Sequence, residues 1–159
     1  MNGVAARVAL QALLLAGVWG VALPAALIVD ETGSAGPPWR SWGVAPGSVL
    51  MLLGVALCAT AGRQLAGSGA PLFGVRPGPV LVTDGLYGVL RNPQDVGATL
   101  ISLGPPVAVD VPVLWIVPLI GLVYLAIGVE PLEDRHLLEA FGEEFRAYRS
   151  RVARWIPLR

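Results

Sequence analysis

Residues 96–129 form the apolar run VGATLISLGPPVAVDVPVLWIVPLIGLVYLAIGV, in which Asp110 is the only charged residue. At 1.5 Å per residue, one helix of this length would be about 50 Å long, whereas the hydrocarbon core of a bilayer is about 30 Å thick. The run therefore predicts two membrane helices that fold back on each other. Pro105, Pro106 and residues 110–112 mark the turn region, so we expect spans near residues 94–108 and 113–129.

Two earlier apolar stretches extend this interpretation. Residues 8–29 are long enough to cross a bilayer and have Gln11 as their only strongly polar residue, and residues 44–62 form another stretch that ends at Arg63. The first stretch also resembles a signal peptide, because Arg7 precedes it and small residues occur within it. More apolar sequence follows it, however, instead of a polar domain. We therefore expect an all-α integral membrane protein with four transmembrane helices.

The composition agrees with a single membrane domain. The chain has 159 residues, of which 55% are hydrophobic and 14% are charged, whereas soluble domains carry about 25% charged residues. The formal net charge is zero, so the overall charge does not indicate a nucleic-acid partner. One cysteine, Cys58, and one histidine, His136, exclude a disulfide framework and a cysteine or histidine metal site. Phosphate-binding glycine loops and zinc-protease motifs are absent from the sequence.

The arginines predict the orientation of the spans. All eleven basic residues are Arg and none is Lys. We interpret this as a bias in the nucleotide composition of the source, which favours a bacterial source. With four spans, Arg40 alone faces one side, and the other arginines share the side of both termini and of the loop at residues 63–93. Because positively charged loops stay in the cytoplasm, we expect a multi-pass protein of the inner (plasma) membrane with both termini cytoplasmic.

The loop at residues 63–93 is too long to be a simple connector. Loops beyond about 12–15 residues are commonly functional or disordered, and the apolar residues near its end favour a packed cytoplasmic cap. The loop leads into Arg91-Asn92-Pro93-Gln94-Asp95, where Asn92 suits an N-cap, Pro93 the first helical position and Asp95 the third. Helix initiation explains this motif. The same helix start also offers N–H donors and a positive dipole end to an anionic group of a ligand.

Residues 131–152 predict an amphipathic tail helix after the fourth span. Their apolar residues recur at alternating spacings of three and four, which places them on one face of a charged helix. Pro131 disfavours helical backbone at Glu130, so we expect a bend there. Glu133 and Asp134 lie beside this bend. Their carboxylates are either solvated charges that favour a helix N-terminus or part of a site for a cation.

Two ordered blocks resemble the superfamily of isoprenylcysteine carboxyl methyltransferases and phospholipid methyltransferases. The first runs from Gly85-Leu86-Tyr87 through Arg91-Asn92-Pro93 to Gly97 and is similar to the pattern G-x-Y…R-[HN]-P-x-Y-x-G. The second runs from Glu133-Asp134 through Phe141-Gly142 and Tyr148 to Pro157 and is similar to E-E-x-x-L-x-x-x-F-G-x-x-Y-x-x-Y…P. Together they cover about half of the chain, and neither block is specific by itself.

The sequence departs from these patterns at three positions. Asp95 stands where the family has Tyr, Asp134 where it has a second Glu, and Phe145 where it has Tyr. The first change affects the cofactor or substrate pocket, and the second keeps the charge but shortens the side chain by one methylene. The third removes only a hydroxyl group.

The resemblance implies an S-adenosylmethionine-dependent methyltransferase that acts at the cytoplasmic membrane face on a lipophilic acceptor, without a metal ion. The helix start at Asn92 suits the cofactor carboxylate, and the acidic pair suits its amino group or ribose hydroxyls. Tyrosine side chains suit the cationic sulfonium. The residues expected to bind the cofactor are Tyr87, Arg91, Asn92, Pro93, Asp95, Gly97, Glu133, Asp134 and Tyr148.

Two other functions stay open at this point. Membrane reductases that use NADPH share a related small helical fold, and a non-catalytic membrane protein that has kept the fold would explain the changes at Asp95 and Asp134. The acceptor atom also stays open among a carboxylate, a thiol, a phospholipid amine and the hydroxyl of a small hydrophobic molecule. Because no residue stands out as a general base, an acceptor that ionises readily at neutral pH, such as a carboxylate or a thiol, is favoured.

Overall fold

The computed structural model describes residues 19–20, 42–69, 80–109 and 112–155, and this part of the chain is mostly helical, without strands. Apart from Trp19 and Gly20, which are helical, the expected first span at residues 8–29 lies outside the described residues, as does most of the expected cap before residue 80. The described helices are α1 (Val44–Gly67), α2 (Pro93–Val109), α3 (Ile116–Tyr124) and α4 (Glu130–Arg151). Shorter helical turns cover Gly85–Gly88, Pro112–Trp115 and Leu125–Val129, the last of which is a π-helix.

Two of the helical stretches are long and apolar enough to cross a membrane. They are Val44–Gly67 and Pro112–Arg151, the second of which contains α3, the π-helix and α4. Large apolar side chains lie exposed along both of them, including Leu52 (69% exposed) and Ile127 (75% exposed). In water such a surface would be unfavourable, whereas lipid tails cover it without cost. The α2 helix has 17 residues, which is about 25 Å, so a count of four spans stays a prediction.

Glycines hold α1 and α2 together as an antiparallel pair. A Cβ atom added at Gly47 would lie 2.6 Å from the Gly104 carbonyl oxygen, and one added at Gly54 would lie 2.5 Å from the Gly97 carbonyl oxygen. The two backbones therefore approach more closely than any larger residue allows. In lipid, where apolar burial does not drive association, such close contact is the main source of attraction between helices. The glycines recur every seven residues on each helix, which keeps them on one face.

The helices at the expected second and third spans begin where the sequence predicts, at Val44 and Pro93, but differ from the prediction towards their C-terminal ends. We expected a span that ends at residue 62, but α1 continues through Arg63 to Gly67, because arginine marks the edge of the bilayer and does not end a helix. We also expected Pro105 and Pro106 in the turn, but both lie inside α2, where they are buried. Proline is tolerated near the end of a membrane helix because few backbone hydrogen bonds beyond it are lost.

Pro131 does not interrupt the helix as expected, because the backbone at Glu130 is helical. The π-helix at Leu125–Val129 lies directly before it, and its wider turn accommodates the ring and the missing N–H group of Pro131. The helix breaks instead at Gly142, where φ is 52° and ψ is −119°. Only glycine adopts this conformation readily. The tail therefore changes direction twelve residues after its start at Glu130.

Replacing Gly97 tests the close packing of α1 and α2. The Ala side chain in Gly97→Ala would lie 2.5 Å from Cys58 Sγ and 2.8 Å from the Gly54 carbonyl oxygen, so we expect a loss of about 1–3 kcal/mol of stability from overpacking. Unfolding in detergent against increasing sodium dodecyl sulfate measures this loss. Gly121→Ala is the matched control, because nothing lies within 4 Å of that added Cβ. Equal unfolding curves for both variants would contradict the close packing.

Candidate functional site

The C-terminal end of α1 lies against the segment that precedes α2. The Gln64 Nε2 donates to the Asp84 carbonyl oxygen at 2.6 Å, and the Leu86 N–H donates to Gln64 Oε1 at 3.2 Å. Residue 85, which lies between these two contacts, has to be glycine for two reasons. Its φ of 54° is in the left-handed region, and an added Cβ would lie 2.5 Å from Gln64 Nε2. The Gln64 side chain thus attaches residues 84–86 to the end of α1.

Arg91 joins the start of α2 to both ends of α4. Its backbone N–H donates to the Ala153 carbonyl oxygen at 2.9 Å, next to an isolated parallel bridge between Leu90 and Ala153. Its side chain donates from Nε to the Val152 carbonyl oxygen at 3.1 Å and from Nη1 to Asp134 Oδ1 at 3.2 Å. A single arginine therefore satisfies two carbonyl groups just beyond the end of α4 and one carboxylate near its beginning.

Asp134 lies at the centre of an arginine cluster. Its carboxylate pairs with Arg91, with Arg149 at 3.6 Å and with Arg154, and the side chains of Arg91 and Asp134 are only 10% and 14% exposed. Burial lowers the pKa of Arg91; the Asp134 carboxylate opposes this shift, whereas the positive charges of Arg154 and Arg149 add to it. Three guanidinium groups thus share one carboxylate, so this cluster carries an excess of positive charge.

The start of α2 brings two further carboxylates together. The helix begins at Pro93, as the sequence motif predicts, and the Val96 N–H donates to the Asn92 carbonyl oxygen at 3.2 Å. The Asn92 Nδ2 donates to Asp95 Oδ2 at 3.2 Å and to Glu133 Oε2 at 3.4 Å. One side-chain amide therefore joins the first turn of α2 to the first turn of α4 through two acidic side chains.

Two buried tyrosines connect the cap to the tail. The Tyr148 hydroxyl donates to the Tyr87 carbonyl oxygen at 2.7 Å, and the two residues are 4% and 8% exposed. Burial raises the pKa of Tyr87 well above its ordinary value, and the negative charge of Glu133 raises it further. Burial also raises the pKa of Tyr148 to about 12, although the Arg91 guanidinium opposes that shift. Both phenols are therefore neutral at physiological pH.

The site residues expected from the sequence fall into three groups in the structure. Tyr87, Asn92, Asp95, Glu133 and Tyr148 come together around the starts of α2 and α4. Arg91 and Asp134 lie beside them but are bound to each other. Pro93 and Gly97 are packing residues, because the Pro93 side chain is fully buried and Gly97 contacts Cys58 on α1.

Several residues of the site were not identified from the sequence. Arg149 and Arg154 reach Asp134 only because the tail changes direction at Gly142, and no local pattern indicates such a contact. Gln64 was read as the beginning of a loop, whereas it binds residues 84–86. Cys58 entered the sequence analysis only as a single cysteine, and its Sγ donates to the Gln94 carbonyl oxygen at 3.4 Å. Among the described residues, no cluster of acidic, histidine and cysteine side chains suits a metal ion.

A comparison with protein-family models gives one match, to the phospholipid methyltransferase family over residues 42–144. The match covers well over half of the chain. The chain belongs to the phospholipid methyltransferase family. The resemblance seen in the sequence is thereby confirmed, and the apolar helices are those of a membrane methyltransferase. No curated protein matches the chain.

The region that matches the family contains part of the candidate site of this methyltransferase and excludes the rest. It contains the acidic pair, Asp95 and Glu133, and both partners of the ion pair between Arg91 and Asp134. It ends before Tyr148, so the segment that docks onto Leu90 and Arg91 lies beyond it. The family match therefore covers the starts of α2 and α4, whereas the docking of the tail is seen in the structure alone.

Replacing Asp134 tests the structural role of the arginine cluster in this methyltransferase. Asp134→Asn leaves three guanidinium groups without their common carboxylate, and removal of one partner of a largely buried ion pair costs about 3 kcal/mol. Unfolding in detergent measures this loss. Glu139→Gln is the matched control, because it breaks the exposed pair between Arg135 and Glu139 on the same helix, where about 0.5 kcal/mol or less is expected. If the Asp134→Asn variant were as stable as the unmodified protein, the arginine cluster would not stabilise the fold.

The pKa of Tyr148 predicts a dependence of stability on pH. Because its pKa is raised from 10.0 to about 12 on folding, the neutral phenol contributes stability below pH 10 that is lost as the pH rises towards 12. Unfolding of the detergent-solubilised protein across this range should show that loss. We expect a smaller fall in Tyr148→Phe, because this variant lacks the contribution of Tyr148. An equal fall in the variant and in the unmodified protein would contradict this role of Tyr148.

Proposed function

We propose that this protein transfers a methyl group from S-adenosylmethionine to a lipophilic acceptor, with the donor bound between the starts of α2 and α4. The observation that carries this proposal is the pair of carboxylates from Asp95 and Glu133, which the Asn92 amide joins at the N-terminus of an apolar helix. Membership of a methyltransferase family supplies the reaction class. The geometry supplies a polar site at the end of membrane helices where a charged cofactor fits.

The residues at this site suit the charges of S-adenosylmethionine. Its ammonium and sulfonium groups are cationic, and Asp95 and Glu133 provide negative charge beside the ring of Tyr87. Its carboxylate suits either the N–H groups at the start of α2 or the excess positive charge around Asp134. Asp134 itself is bound to three arginines, so its role is to hold these arginines in place and not to contact the amino group.

The protein contributes positioning and exclusion of water. The bound cofactor supplies a methyl group on a positively charged sulfur, which is already a strong electrophile. Such a reaction gains most from holding donor and acceptor in line and from removing solvent. The buried rings of Tyr87, Phe145 and Tyr148 provide an apolar wall next to the acidic pair. A nucleophilic side chain or a metal ion is not required for this chemistry.

The acceptor is proposed to be a membrane lipid that reaches the site from the bilayer. The site lies at the end of helices whose outward side chains are apolar and exposed, and the family description refers to phospholipids. A lipid amine would also suit the acidic pair, because the carboxylates attract its ammonium form and one of them would take the proton that the amine must lose before its lone pair accepts the methyl group. The one-sided arginines of the sequence support a cytoplasmic position of this face in the inner membrane.

Replacing Glu133 tests the cofactor site. We expect Glu133→Gln to weaken S-adenosylmethionine binding by about tenfold or more, because one charge-assisted hydrogen bond is worth roughly 1.5–3 kcal/mol. Isothermal titration calorimetry on the detergent-purified protein measures the affinity. Glu139→Gln on the exposed side of the same helix is the control and should bind as the unmodified protein does. Equal affinity in both variants would exclude Glu133 from the site.

The same titration separates the proposal from its alternatives. A reductase would bind NADPH in place of S-adenosylmethionine, and a non-catalytic protein would bind neither at saturating concentrations. Binding of S-adenosylmethionine by the unmodified protein therefore supports the methyltransferase, and its absence contradicts it.

A further inference from the structure

The charges of the tail are separated along its length. Residues 130–144 contain six acidic residues and one arginine, whereas residues 145–159 contain five arginines and no acidic residue. The sign changes between Glu144 and Arg146, two to four residues after Gly142, where the helix breaks. The basic segment, residues 145–155, therefore takes a different direction from the acidic part of α4. This separation is not needed to hold Asp134, because Arg149 and Arg154 alone reach it from this segment.

The fold returns this basic segment to the end of the membrane helices. Leu90 forms a bridge with Ala153, and the Arg91 N–H donates to the Ala153 carbonyl oxygen. Arg91 lies only two residues before α2, a helix that is apolar from Val96 onward. The basic segment thus lies at the level where the apolar helices begin, which is where a bilayer presents its headgroups.

Three of the four arginines of this segment face outward, whereas Arg154 is 26% exposed and is bound to Asp134. Phe145 and Tyr148 point into the protein and are 1% and 4% exposed, whereas the side chains of Arg146 and Arg149 are 60% and 54% exposed and Arg151 is also exposed. The buried aromatic rings fix the orientation of the helix, so the arginines on either side of them are turned outward. Trp155 follows at the end of the segment, as is common for aromatic residues at a membrane interface.

We propose that residues 145–155 bind the anionic headgroups of the bilayer that surrounds the protein. Charge complementarity selects this partner, because a polybasic segment next to membrane helices is attracted to acidic lipids. The contact would hold in place the same segment that supplies Arg149 and Arg154 to Asp134. Anionic lipid would thereby stabilise the docking of the tail onto Leu90 and Arg91. This inference does not depend on the identity of the methyl donor or acceptor.

The lipid preference of the reconstituted full-length protein tests this proposal. The protein is placed in phosphatidylcholine vesicles with a trace of spin-labelled phosphatidylglycerol or phosphatidylcholine, and the fraction of label immobilised by the protein is measured. We expect phosphatidylglycerol to be preferred several-fold. The upper limit is roughly fivefold for each contacting arginine, which is the attraction of one basic residue to an anionic surface. The preference should disappear in about 1 M salt, where the Debye length falls to about 3 Å. Equal immobilisation of both labels in the unmodified protein would overturn the proposal.

A pair of variants locates the contact. Arg146→Gln combined with Arg151→Gln should reduce the preference for phosphatidylglycerol by at least half, because it removes two exposed charges and leaves the arginines bound to Asp134 in place. Arg135→Gln is the matched control, because Arg135 is also exposed and also pairs with a glutamate on α4, but lies in its acidic part. An equal reduction in the control would show that net charge, and not this segment, sets the preference. The salt dependence of the unmodified protein tests the proposal even if the double variant does not fold.

Discussion

The ion pair between Arg91 and Asp134 is the contact on which the rest of the site depends. Arg91 lies two residues before α2, Asp134 lies in the first turns of α4, and the same guanidinium also binds the Val152 carbonyl oxygen. A largely buried ion pair is weak evidence of net stabilisation, because desolvation offsets most of the attraction. Its value here is geometric. It fixes the separation of α2 and α4, so that Asn92 reaches the carboxylates of Asp95 and Glu133 at once.

The close packing of α1 and α2 provides the rigid base below this contact. The glycines at positions 47, 54, 97 and 104 bring the two backbones together, and Gln64 then fixes residues 84–86 at the end of the pair. The proposed cofactor site is therefore built from segments that are separately attached to the same helical pair. Such attachment is what a reaction that relies on positioning requires. The change of direction at Gly142 completes the site by returning the tail to Leu90 and Arg91.

The sequence predicted the features that depend on local pattern. The helical class, the start of α2 at Pro93 and the family followed from apolar runs and from motif spacing. The arginine cluster did not, because Arg149 and Arg154 reach Asp134 through a change of direction that one glycine produces. The continuation of α4 through Pro131 was also missed, because proline usually disfavours a helical residue before it and the sequence does not show the π-helix that precedes it here. The close approach of Gly97 to Cys58 and Gly54 was also not predicted, because a motif does not distinguish a residue that contacts a ligand from one that allows two helices to approach.

The most direct test of the central claim follows the methyl group itself. Membranes that contain the protein are incubated with methyl-labelled S-adenosylmethionine, and the products are separated into lipid, protein and water-soluble fractions. The account predicts label in the lipid fraction, dependent on Glu133 and independent of Glu139. Label confined to water-soluble products, or no transfer by a protein that fails to bind the donor, would contradict it.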